Sequence, residues 1–337
     1  MIVLDCTLRD GGYHNNWNFN MDVANLYLKV MEKSKINAIE VGFRSSRENI
    51  GESTFLKVTD EIIEDFLYIP KVEYFGVMIN TKEMNSNHIK NLFRYSDRSP
   101  INLVRAATHF KDIDLAESIC KDLKNLGYIV CCNLMQAADK SFDEIREASK
   151  KIESWNSVDV LYLADSLGGM NHDDINYSYK AIRSEWNGLT GFHGHNNKSQ
   201  ALNNSLEAVD IGVDWIDSTI LGMGRGPGNT ETEYLLGELN KRGFGEFYLD
   251  GVYRLSLGDF FRLKENFEWG PSLLYYLASE YNIHPIYIQN LISESYDRDS
   301  ILNIIYYLKN RNSNSFNNKL LEEALTNEYS DNNSSKI

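Results

Sequence analysis

Eight short apolar, β-branched runs recur along the chain, most followed by an amphipathic stretch, and this alternation limits the fold more than any other feature. The strand-like runs cover residues 2–8, 38–43, 72–79, 103–108, 128–134, 158–164, 190–195 and 215–221. Helix-like segments at 22–34, 112–126, 142–155, 173–185 and 199–211 carry apolar residues at helical spacing, as in Leu115, Ile119, Leu123 and Leu126. Eight strands, each leading into a helix, is the arrangement of a (β/α)8 TIM barrel, whose usual length of about 250 residues fits residues 1–240. A doubly wound open sheet is the alternative. It would carry a G-x-G-x-x-G turn after an early strand, and none is present.

After Asn240 the strand-like runs stop, and 287–291, 301–308 and 320–325 read as helices. Residues 241–329 are therefore expected to form a small α-helical appendage, and the polar, Asn/Ser-rich residues 330–337 a frayed end.

The chain has 337 residues, 42% of them hydrophobic and 24% charged, so it has the makings of a globular core. Its net charge of −14 repels nucleic-acid backbones and anionic membrane surfaces, which excludes both as expected partners. No run approaches the ~18 apolar residues of a membrane helix, and the N-terminus does not read as a secretory signal. A cytoplasmic location is expected. The four cysteines form no C-x-x-C pair, and adjacent Cys131 and Cys132 point to opposite faces of a strand. Reduced thiols are expected rather than disulfides or structural zinc.

In such a barrel, chemistry gathers at the C-terminal strand ends. TLRDGGYHNN puts Arg9 and Asp10 at the first, AIEVGF puts Glu40 in the second, LYLADSLGGM ends the sixth in Asp165 and Ser166, and LGMGRGPGN closes the eighth on Asn229. His109, in ATHFKD, stands at the fourth strand's end and can line a pocket there. GFHGHNN is the strongest signal. His193 and His195 stand two apart on one strand and so share a face. They read either as a pair of buried, hydrogen-bonded histidines or, with Asp10 and Asn229 at other strand ends, as nitrogen and oxygen ligands of a divalent metal. Arg9 can serve as a structural ion-pair partner or can stabilise a developing enolate oxygen. Glu40 can be Arg9's structural partner or a catalytic acid, since a carboxylate in an apolar strand is seldom there for packing.

These motifs resemble the DRE-TIM metallolyase (HMGL-like) superfamily. LDCTLRDGGY, LVRAATHFKDID, LYLADSLGGM, GFHGHNNKSQALNNSLEAVDIG and IDSTILGMGRGPGN are most similar to its 4-hydroxy-2-oxovalerate aldolase branch. The resemblance implies a divalent metal, Mn2+ in the first place with Mg2+ or another ion as alternatives, held by Asp10, His193 and His195, with Asn229 as a further ligand. It implies that Arg9 steadies the enolate, and it matches Glu40 and Asp165 to the family's strand-two glutamate and strand-six aspartate. It further implies aldol cleavage or formation of a 4-hydroxy-2-oxo acid through a metal-stabilised pyruvate enolate, and a homo-oligomer. A partner aldehyde dehydrogenase is known in that branch, but the residues after 240 do not match its docking segment.

One position departs from the pattern. Tyr13 stands where the pyruvate aldolases carry a histidine for proton transfer, and His14 follows it. Position favours Tyr13; chemistry favours His14, which titrates near neutral pH. The expectation is that His14 transfers the proton and Tyr13 lines the substrate side, with Gly11 and Gly12 folding the chain back through positive φ. Two other functions compete. A Claisen condensation of acyl-CoA, of the isopropylmalate or homocitrate synthase type, calls for an acidic or amide residue after TLRDG, where Gly12 stands. A non-catalytic metal-binding barrel is the other, although Arg9, Asp10 and both histidines are intact.

Overall fold

The computed structural model describes residues 1–47, 53–137 and 140–334, with side chains as far as residue 328. Eight parallel strands close into a barrel in sequence order: β1 (Ile2–Asp5), β2 (Ala38–Phe43), β3 (Tyr74–Asn80), β4 (Leu103–His109), β5 (Ile129–Met135), β6 (Val160–Asp165), β7 (Leu189–Gly194) and β8 (Trp215–Ser218). β1 pairs with β8 as well as with β2, so no edge is left open. The helices that follow the strands are α1 (Met21–Lys33), α2 (Asp60–Phe66), α3 (Ser86–Leu92), α4 (Ile113–Asn125), α5 (Phe142–Ser154), α6 (His172–Arg183), α7 (Ala201–Asp210) and α8 (Thr232–Arg242). Their starts are set locally: Asn20 caps α1, and Ser141 with Glu144 and Asn171 with Asp174 form reciprocal caps on α5 and α6.

The period of two along each strand divides the apolar residues between two cores. Val3, Ile39, Val77, Val104, Cys132 and Leu161 face outward into the strand–helix core. Leu4, Ala38, Leu103, Cys131, Val160, Tyr162 and Trp215 belong to a separate cluster that plugs the barrel. Cys131 and Cys132 thus fall in opposite cores, and all four cysteines are free and buried. No helix among the described residues is long and apolar enough to cross a membrane.

Beyond α8 come α9 (Asp250–Leu255), a π-helical stretch Ser256–Phe260 and α10 (Phe261–Phe267). Val252, Leu255, Phe260 and Trp269 belong to the barrel's own core, so this segment, assigned to the appendage from sequence, packs with the barrel. α11 (Leu273–Glu280), α12 (Pro285–Ser293), α13 (Arg298–Leu308) and α14 (Asn318–Ser334) bury a second core that includes Tyr287, Ile304 and Leu321. α14 runs through Ser334, where fraying was expected from 330; residues 335–337 lie outside the described residues.

Candidate active site at the C-terminal mouth of the barrel

Two residues above the plug, the inward column turns from apolar to charged. Glu40 follows Ala38, Arg105 follows Leu103, and Asp217 follows Trp215, each at the same inward period. Together with Arg9, Asp10 and His193 they close a buried ring of alternating charge. Arg9 Nη1 lies 2.7 Å from Asp10 Oδ1, and Arg9 Nε lies 2.5 Å from Glu40 Oε1. Arg105 then bridges Glu40 Oε2 at 3.3 Å and Asp217 Oδ2 at 2.5 Å. His193 closes the ring, with Nδ1 2.8 Å from Asp217 and Nε2 3.3 Å from Asp10 Oδ2.

The ring sets the charge state of its members. Burial pushes the Asp10 carboxyl up, but Arg9 and then His193 hold it well below the usual carboxylate range. Asp217 is held low against burial by Arg105 and His193. Burial opposes the Arg105 charge, yet Asp217 and Glu40 keep the guanidinium firmly protonated. Each charge is paired, the condition under which buried charges are tolerated, although Arg105 Nε and Asp217 Oδ1 are buried without a hydrogen-bond partner.

Both histidines have one ring nitrogen committed. His193 Nδ1 faces the Asp217 carboxylate, and His195 Nδ1 lies 2.7 Å from the Asp165 carbonyl oxygen. Those acceptors take the Nδ1 protons, the orientation that metal-ligating histidines adopt. Burial lowers the His193 pKa, but Asp10 and Asp217 raise it overall, and its Nε2 faces Asp10. The rings are 4.8 Å apart between centroids. Burial, then His193 and Arg225, keep His195 neutral. Asn229 Nδ2 donates to Asp10 Oδ2 at 2.5 Å, while its Oδ1 is buried without a partner. An orphaned carbonyl oxygen beside a carboxylate and two imidazoles is a donor set fitted to a divalent cation. Ligand atoms of Cys6, Asp10 and His193 lie within 4.8 Å of one another. Cys6, however, sits with Sγ 3.5 Å from the Ser218 carbonyl oxygen, and burial keeps its thiol protonated.

Above the ring lies a cavity of about 440 Å³, lined at its lower end by Arg9, Asp10, His193 and His195. Tyr13, His109 and Ser166 also line it. Glu40 and Asp165 do not. Glu40 grips Arg9 and Arg105 from below. Asp165 accepts from the Gly169 and Met170 amides and offers its carbonyl to His195, so it shapes the β6 loop. Burial pushes its carboxyl up to about 6.

His14 is turned away from this cavity. Its Nε2 lies 2.6 Å from the Gly224 carbonyl oxygen, and its ring packs 5.5 Å from Trp269. Tyr13 takes the place over the site. The intervening glycines do not act through positive φ: Gly11 is right-handed, at φ −62° and ψ −23°. They matter because a Cβ at Gly11 would come 2.6 Å from Met223 Sδ and one at Gly12 would overlap the Trp17 ring. Left-handed glycines occur instead in the β8 loop, where Gly228 has φ +82°, and its carbonyl accepts from the Asn196 amide at 2.8 Å. That pairing brings Asn229 beside Asp10.

Sequence reasoning missed Arg105, Asp217 and the tail. The first two could have been found by continuing the inward period of β4 and β8. The tail could not: His284, Ile286, Ser315 and Phe316 roof the cavity. Gln289 fastens that roof, donating to the Tyr13 carbonyl at 3.1 Å and accepting from the Gly226 amide at 3.2 Å.

The family model described as HMGL-like matches residues 1–256. The chain is 27% identical to a 4-hydroxy-2-oxovalerate aldolase from Carboxydothermus hydrogenoformans, over 72% of this chain and 71% of that protein. It is 29% identical to another from Geobacillus genomosp. 3, over the same shares. Among solved structures, the N-terminal domain of a putative aldolase from Bacteroides vulgatus superposes with a TM-score of 0.81 at 30% identity, covering 90% of this chain and 99% of that one. An HMG-CoA lyase from Bacillus subtilis shares the fold, with a TM-score of 0.65 at 13% identity over 80% of this chain and 94% of that one. With a charged ring and a roofed cavity at the mouth of a closed barrel, and a family match over most of its length, the chain is an enzyme that belongs to the HMGL-like family.

Proposed function

We propose that the protein is a divalent-metal-dependent aldolase that cleaves or forms a 4-hydroxy-2-oxo acid, with pyruvate as one partner. The observation that carries this reading is the pair of imidazoles at the cavity, each with Nδ1 committed to an acceptor, with His193 Nε2 3.3 Å from Asp10 Oδ2. Its aldolase relatives support the same reaction class. Asp10, His193 and His195 would hold the ion, and Asn229 Oδ1 is the available fourth protein donor. When bound, the ion supplies Lewis-acid polarisation of a 2-oxo group; Mn2+ is the first expectation.

The remaining work falls to side chains of this chain. Arg9, locked between Asp10 and Glu40, presents a fixed positive charge at the cavity floor where the 2-oxo oxygen gains negative charge. Its orientation is set before substrate arrives, so little reorganisation is needed in the transition state. As the C3–C4 bond breaks, the 4-hydroxyl proton leaves and its oxygen becomes the aldehyde carbonyl. The electron pair of the broken bond stays with C3, which then takes a proton to give pyruvate.

The proton acceptor must face the cavity with a free lone pair. Burial holds the Tyr13 phenol above its usual value, so it stays protonated and donates a hydrogen bond to a substrate oxygen. His109 is neutral at physiological pH, since burial and the nearby lysines lower its pKa against the bond to Gln136. We assign proton acceptance to His109 and substrate orientation to Tyr13. The tail's roof keeps water from the enolate, which protects it from stray protonation.

The test is to incubate manganese-loaded protein with 4-hydroxy-2-oxo acids and couple released pyruvate to lactate dehydrogenase. Pyruvate release that stops with a chelator and returns with Mn2+ is the expected result. Thiol release from acetyl-CoA with a 2-oxo acid, without pyruvate formation, would establish the condensation reaction instead.

A further inference from the structure

The charge of the cavity runs against that of the chain. The protein carries a net charge of −14, yet among the described residues the only carboxylate lining the cavity is Asp10, already bound to Arg9. Three more cations line the same space: Lys82, Lys111 and Arg225. Among the described residues none of the three has a carboxylate partner. Arg225 is half-buried; its Nη2 donates to the Ser166 carbonyl at 3.0 Å, and its Nε is buried with no partner at all.

The barrel order gives these charges a direction. Lys82 lies in the turn after β3 and Lys111 in the turn after β4. In a closed eight-membered order, β3 and β4 stand across the barrel from β7 and β8. The 2-oxo acid head therefore belongs at the Asp10, His193 and His195 end, and the lysines face whatever extends from C4. His109 stands at the end of β4, on the lysine side of the cavity. A cavity of about 440 Å³ falls within the roughly 300–1,000 Å³ of small-molecule sites and has room beyond a five-carbon acid. The head group's single carboxylate can answer one cation. The lysines remain available to a second anion.

We propose that the natural substrate is a 4-hydroxy-2-oxo acid whose far end carries a second anionic group, a carboxylate or a phosphate monoester, seated by Lys82 and Lys111. The proposal rests on the aldolase reading for its reaction but not for its binding. It predicts discrimination among aldehydes of similar size by charge. Rim lysines in a partly enclosed, cation-rich space attract such a group and hold it through charge-assisted hydrogen bonds.

The experiment uses full-length, manganese-loaded protein and follows pyruvate consumption with matched aldehydes. Succinic semialdehyde is set against butanal for the carboxylate arm, and glycolaldehyde phosphate against glycolaldehyde for the phosphate arm. In at least one arm kcat/KM for the anionic aldehyde should exceed that for its neutral counterpart by about tenfold or more, and the arm with the larger ratio identifies the group. Combined Lys82→Met and Lys111→Met substitutions should bring that ratio close to one; both lysines are exposed, so the fold is not at risk. Equal kcat/KM within both pairs would overturn the proposal and leave the aldolase reading standing. If no aldehyde turns over, the aldolase reading fails and calorimetry decides the proposal alone. Tighter binding of 2-oxoglutarate than of 2-oxovalerate, lost in the lysine variant, would support it; equal binding would overturn it.

Discussion

Arg105 Nη2 lies 2.5 Å from Asp217 Oδ2, the same oxygen that faces His193 Nδ1 at 2.8 Å. A fully buried arginine on β4 thereby orients a histidine on β7 through a carboxylate on β8, and through Glu40 it also steadies Arg9. Arg105 does not line the cavity, so its role is positioning. Arg105→Met would leave Glu40 with Arg9 alone and Asp217 with His193 alone. Removing one partner of a buried pair costs about 3–5 kcal/mol. Urea unfolding should register that loss, and an unchanged midpoint would mean that the ring is not coupled to stability.

Metal retention should depend on the histidines and on what orients them. His193→Ala and His195→Ala are expected to lose bound metal and activity together. Asp217→Asn should keep the fold but weaken metal affinity by about 10–100-fold, because the group that fixes the His193 tautomer becomes a poorer acceptor. Metal content after dialysis at a fixed free concentration measures both effects. Retention of metal in both His→Ala variants would remove Asp10, His193 and His195 as the ligand set.

Much of this was legible from the chain, for an identifiable reason. The βα alternation and the strand-end motifs are local patterns, so the barrel and the positions of Arg9, Asp10, His193, His195 and Ser166 follow from period and order. Arg105 escaped notice because it sits in LVRAATHF, where a lone arginine in an apolar run gives no local hint of its partners. Those partners, Glu40 and Asp217, are 65 and 112 residues away. The chemical rule that favours His14 takes no account of the packing of Trp269 and Gly224, which turns its ring away from the cavity. The roof is least legible of all. His284 caps α12 as a turn before Pro285 would suggest, but its reach over the cavity, like the Gln289 bond to Tyr13 276 residues away, is purely tertiary.

Arg9→Ala should separate catalysis from folding. Glu40 keeps Arg105 in that variant and Asp10 keeps His193, so no carboxylate is stranded. The metal site is expected to survive while turnover falls by about 100-fold or more, the effect of losing one preorganised charge at a developing oxyanion. Single-turnover kinetics with metal content measured in parallel would check this. A variant that fails to fold would assign Arg9 a structural role in place of a catalytic one.

Glu233 offers a pH dependence that does not involve the site. Its Oε2 accepts from the Leu221 amide at 3.0 Å, its Oε1 is buried without a partner, and burial pushes its pKa up to about 7. The folded-state value is thus above the unfolded value of about 4.3. Between the two the unfolded chain binds fewer protons, so stability falls as pH rises through this window and levels off above pH 7. Glu233→Gln keeps an acceptor for Leu221 and removes the charge. It should unfold later at pH 8 by on the order of 1–3 kcal/mol and show no gain at pH 4. An equal gain at both pH values would point to packing instead.

The proton acceptor is decided by three variants read through pH–rate profiles. If neutral His109 takes the 4-hydroxyl proton, kcat/KM falls on the acid side with a midpoint below the ordinary histidine value, because burial and the neighbouring Lys111 and Lys82 lower its pKa. His109→Asn should then cost about 10²–10⁴ in rate and abolish that acid limb. Tyr13→Phe should raise KM and lower kcat without moving the limb, since the buried phenol stays protonated throughout. His14→Asn should leave the profile in place and lower thermal stability, because the contact with Gly224 is lost. Loss of the acid limb in His14→Asn, with His109→Asn silent, would return the role to His14 and require the β1 loop to turn over in the working enzyme.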